Sequence, residues 1–77
     1  MTDRQRKALK TVRLRTLEHV LAVRSGDVED FELEELERSQ ARAAREALQV
    51  GCQVDAVVAA QKAGGYSVLA SAVAEVA

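Results

Sequence analysis

The most constraining feature of the sequence is a first helix with too much apolar surface for one neighbour. Residues 3–24 contain neither Gly nor Pro. At 100° per residue their apolar side chains fall on two stripes. Leu14, Leu17 and Leu21 form one, and Leu9, Val12, Val20 and Val23 form the other. The stripes lie about 130° apart around the axis. A helix with so wide an apolar arc needs packing partners on two sides. The chain has 77 residues to supply them, and 14 of its apolar residues are Ala, which bury little surface. A chain this short hides only roughly 60% of the surface exposed by its unfolded state. Oligomerisation or a docking partner is the usual remedy at this size.

The remaining punctuation is helical. Thr2 with Gln5 three residues later has the form of a capping box, which predicts a helix over about 3–24. Ser25-Gly26-Asp27 reads as a turn, with Asp27 as the cap of a second helix. Glu29, Asp30 and Glu32 then fill that helix's first turn, where carboxylates meet the positive end of the macrodipole. Glu34 and Arg38 have the spacing of a Glu-first ion pair. The second helix should run over about 28–50 and stop at Gly51. Two shorter helices are expected over about 54–63 and 67–76, separated by Gly64-Gly65, with Ser67 capping the last. The fold class expected is all-α: one small domain over residues 1–77, with a long helical hairpin over 1–50 and a short helical pair over 51–77.

The second helix carries its own stripe, Leu33, Leu36, Ala43, Ala47 and Val50, interrupted by Gln40. It tapers from Leu to Ala, so a neighbouring helix can approach closely at its C-terminal half. Leu14, Leu17 and Leu21 are the candidate association seam, with Leu33 and Leu36 expected beside them.

Charge is arranged in blocks. The net charge is −1, but residues 1–24 carry +5 and residues 25–37 carry −7. An antiparallel hairpin sets Arg38, Arg42 and Arg45 towards the basic start of helix 1, which is unfavourable within one chain. That supports an arrangement in which the acidic block meets a basic block of another subunit. A solvated, salt-screened surface accommodates the same charges without a partner.

Little else points to chemistry. His19 and Cys52 are the sole His and Cys. A nucleophilic pair needs a third, orienting group, and a zinc site needs three or four converging ligands. His19, at the margin of the second stripe, reads as a partly exposed packing residue, and Cys52 as a small buried hydrophobe. The alternating acids of residues 27–32 resemble a calcium loop but lack its sixth-position Gly. The expectation is therefore a non-enzymatic protein with no catalytic residue, metal, cofactor or small-molecule ligand. No run approaches a membrane span, and no leader is visible. A cytoplasmic location, without membrane attachment, is the expectation.

One segment resembles a known motif. In residues 54–70, Ala60 stands four positions before Gly64. Ala63-Gly64-Gly65-Tyr66-Ser67 then looks like a turn leading into a second helix. This resembles a helix-turn-helix, and the resemblance implies DNA binding through residues 67–76. The segment departs from the motif in two ways. Gly65 stands where a branched apolar residue is usual, and residues 67–76 contain no Lys, Arg, Asn or Gln to read base edges. Phosphate contact would fall to Arg4, Lys7 and Arg15 on one polar arc of helix 1, and to Lys62. Arg6, Lys10 and Arg13 instead flank the Leu stripe. The leading expectation is a module that self-associates or docks a protein partner through apolar stripes. The alternative is a small DNA-binding regulator that dimerises through helix 1.

Overall fold

A computed structural model describes residues 1–66 of the chain. They form three α-helices and no strand: α1 (Asp3–Ser25), α2 (Asp30–Gln49) and α3 (Val54–Ala63). The fold is all-α, with the helical hairpin followed by a short helix. The helix expected over 67–76, and its cap Ser67, lie outside the described residues.

The capping box forms. Thr2 Oγ1 accepts from the Gln5 backbone N–H at 3.1 Å, and the Thr2 N–H donates to Gln5 Oε1 at 3.0 Å. Gly26 ends α1 in the left-handed region, at φ 71°. The second helix starts two residues later than Asp27 capping implies. Glu29 holds the cap position, and its carbonyl accepts from Glu32 and Leu33. The Asp27 N–H is instead bonded to Ser25 Oγ within the connection. Val28 and Leu33, both half-buried, occupy the positions of a hydrophobic staple. The Glu34–Arg38 pair forms at 3.5 Å, beside a shorter Glu35–Arg38 contact at 2.6 Å.

α1 is the central element. It packs against α2 and α3, which touch each other much less. Val12, Ala43, Ala47, Cys52 and Val57 form the core, with Ala8, Leu9, Ala44, Val50 and Ala60 around it. The core is built largely from Ala and Val, as thin as the composition implies. The larger side chains lie mostly at its margin.

The two stripes of α1 have different fates. Val12 and Val20 are buried together with Thr16 and His19. Leu14, Leu17 and Leu21 remain 49%, 41% and 54% exposed. The alanines of α2 explain the choice. A helix presenting Ala43 and Ala47 comes close to α1, and short branched valines fit that gap where leucines would hold the helices apart.

Two single-residue expectations are corrected. His19 is buried rather than partly exposed, and Gln40 does not interrupt the α2 stripe but belongs to its buried face. They satisfy each other, His19 Nδ1 to Gln40 Oε1, at 2.7 Å. A buried polar side chain is tolerated when it finds a partner. Cys52 is buried as expected, and its thiol donates to the Gln5 carbonyl at 3.6 Å.

Candidate functional site

The candidate site is the outer face of α1 with the end of α3. Leu14, Leu17 and Leu21 lie roughly 150° around α1 from the buried residues Val12, Thr16, His19 and Val20. Leu33 and Leu36 do not join them. They continue the α2 stripe that faces α1 through Gln40, Ala43 and Ala47, and both are half-buried. The five leucines thus form two groups on opposite sides of α1, and the candidate seam is confined to α1.

α3 builds a wall beside the seam. It ends at Ala63, and Gly64 lies directly against α1. A Cβ at Gly64 would stand 2.6 Å from the Arg13 carbonyl oxygen and 2.8 Å from Thr16 Cβ. Only a residue without a side chain admits this approach. The result is an open groove of about 340 Å³ lined by Lys10, Arg13, Leu14, Leu17 and Ala63. A second recess of about 470 Å³, lined by Leu9, Lys10, Arg13 and Ala60, adjoins it. The floor is apolar and the rim carries two exposed cations. Among the described residues neither Lys10 nor Arg13 is held in an ion pair. Sequence reasoning placed both beside the Leu stripe. It did not supply Ala60 and Ala63, because the docking of α3 is a tertiary event.

Of the residues expected to contact nucleic acid, Arg4, Lys7 and Arg15 share one arc of α1, and Lys62 stands on another helix. Arg4 and Lys7 are exposed near the start of α1. Arg15 is engaged by Glu18 on the same helix at 3.0 Å. Lys62 stands on α3, which docks on the Arg13 and Thr16 side of α1, and Arg15 lies roughly 160° around that helix from Arg13. α3 runs from Val54 to Ala63 and ends in the turn at Gly64.

Composition counts Phe31, the sole phenylalanine, with the core, and the structure corrects this. It is 62% exposed. It lies nine residues before Gln40, half a turn away from the α2 face that packs on α1. The helical period alone places it there.

No residues suited to metal binding cluster among those described. No described helix is long and apolar enough to cross a membrane. No protein-family model, curated protein or solved structure matches the chain.

Proposed function

We propose that the protein is a small non-enzymatic interaction module that associates with further copies of itself through the outer face of α1. One observation carries this reading. Three leucines share a helix face and stay about half exposed, while the opposite face of the same helix fills the core. Scattered exposed leucines are ordinary, but a contiguous apolar row beside an apolar groove marks an interaction surface. Sedimentation equilibrium tests it. The expected result is a mass that rises above 8.3 kDa with concentration in the range of roughly 10–100 µM. Leu17→Glu should lower that mass to the monomer with its helical circular dichroism retained, because Leu17 lies outside the monomer core. A monomer across the whole range overturns the reading.

The α3–Gly64 turn favours one alternative, a helix-turn-helix regulator that contacts DNA through Arg4, Lys7, Arg15 and Lys62 and dimerises through α1. Titration with mixed-sequence DNA at two salt concentrations separates the two. Binding that falls steeply with salt, and weakens when those residues are neutralised, supports the alternative. No binding at low salt removes it.

A further inference from the structure

We infer that the groove between α1 and α3 receives the acidic start of α2 from a second copy, with Phe31 as the inserted side chain. The inference rests on the self-association reading and specifies which surfaces meet.

The two surfaces pair an apolar groove with an exposed ring, and their charges are opposite. The groove has an apolar floor of Leu14, Leu17 and Ala63 and a cationic rim of Lys10 and Arg13. Phe31 is the sole phenylalanine of the chain, and it is exposed. Glu29, Asp30, Glu32 and Glu34 surround it in sequence, and residues 25–37 contain no basic side chain. Aromatic side chains bring the largest apolar area to an interface, and such anchors seat best in a pocket with a polar rim. A ring that enters the groove would carry carboxylates onto its cationic edge.

The partners cannot meet within one molecule. Arg13 lies about 18 Å along the helix axis from the end of α1 at Ser25. The acidic start of α2 follows the connection beyond that end. Phe31 also faces away from α1. Among the described residues, one end of each molecule therefore carries a groove that nothing fills, and the other carries an exposed ring. This is a head-to-tail contact between different patches, which closes into a ring or runs on as a chain, unlike a two-fold pairing of identical seams. Opposite charges meet, so association should weaken with salt.

Sedimentation velocity on the full chain tests the docking. The panel is the wild type, Phe31→Ala, a Lys10→Glu/Arg13→Glu double variant and an Asp30→Lys/Glu32→Lys double variant. All four charged side chains and Phe31 are exposed, so circular dichroism should show each variant folded. Phe31→Ala and each double variant alone should weaken association by about tenfold or more, the scale of losing one anchor or a charged rim. Mixing the two double variants should restore it. The mixture recreates one wild-type contact and one with both signs reversed. A purely structural effect of the substitutions would not be rescued by mixing. Raising the salt from about 0.05 M to about 0.5 M should weaken the wild type. Association that is unchanged in Phe31→Ala, or a mixture that fails to recover, overturns the docking while self-association through the α1 seam stands. A wild-type monomer at every concentration overturns both. That outcome is expected if residues 67–77 of the same chain, or another protein, fill the groove.

Discussion

His19 Nδ1 and Gln40 Oε1 stand 2.7 Å apart in the buried interface between α1 and α2. The carboxamide oxygen only accepts, so the ring donates from Nδ1. In a core of Val and Ala this is a polar contact linking the two long helices across 21 residues of sequence. Gln40→Leu leaves a buried N–H without an acceptor and should cost roughly 1–3 kcal/mol. Replacing both with Leu removes donor and acceptor together, so the double variant should recover much of that loss. Urea unfolding of the two single variants and the double variant gives the coupling. Strictly additive losses would show that the contact does not stabilise the pair.

Gln5 has two duties, and one amide meets both. Its Oε1 closes the capping box, and its Nε2 donates to the Val50 carbonyl at 3.1 Å, tying the start of α1 to the end of α2. Glu is a usual substitute for Gln in a capping box. Here Gln5→Glu should keep the cap and lose the donor, bringing a carboxylate against a carbonyl oxygen. The expected cost is about 1 kcal/mol, the scale of one hydrogen bond. Thr2→Ala should cost about as much through the cap alone. A Gln5→Glu protein as stable as wild type in thermal unfolding would show that the bond to Val50 does not count.

Gly64 and Gly26 are required for different reasons, and alanine separates them. At Gly64 the added Cβ would collide with the Arg13 carbonyl and Thr16. α3 would have to withdraw from α1, at a cost of roughly 1–3 kcal/mol or more. At Gly26 the Cβ meets nothing within 4 Å, but φ is +71°. The cost there is the left-handed backbone alone, roughly 1–2 kcal/mol. Hydrogen exchange should report the difference. Gly64→Ala should loosen α3 selectively, whereas Gly26→Ala should lower protection throughout the hairpin. Equal protection of α3 in the two variants would contradict the close approach.

The two stripes of α1 predict a split between stability and association. Val12 is fully buried, and Val12→Ala removes two methyl-sized groups from a tightly filled site. It should cost about 2 kcal/mol of stability. Leu21 is 54% exposed. Leu21→Ala, measured on dilute monomer, should stay within about 0.5 kcal/mol of wild type and should weaken self-association instead. Unfolding at low concentration together with sedimentation at high concentration makes both comparisons. Reversed effects would mean that the leucine stripe forms the core.

Local signals determined a good deal of this protein. The Thr2–Gln5 box, the glycine stops and the 3.6-residue period specify where helices form, because caps and amphipathic faces are read over a few neighbouring residues. α3 occupies 54–63 as expected, and both apolar stripes of α1 were legible. The tertiary structure alone decided which stripe is buried, that His19 and Gln40 partner each other, that Leu33 and Leu36 lie across α1 from Leu14, Leu17 and Leu21, and that Ala63 closes a groove beside Lys10 and Arg13. Periodicity gives the angle between two stripes but not the space available to each. That space depends on how near the alanines of α2 and the bare Gly64 backbone let their neighbours come.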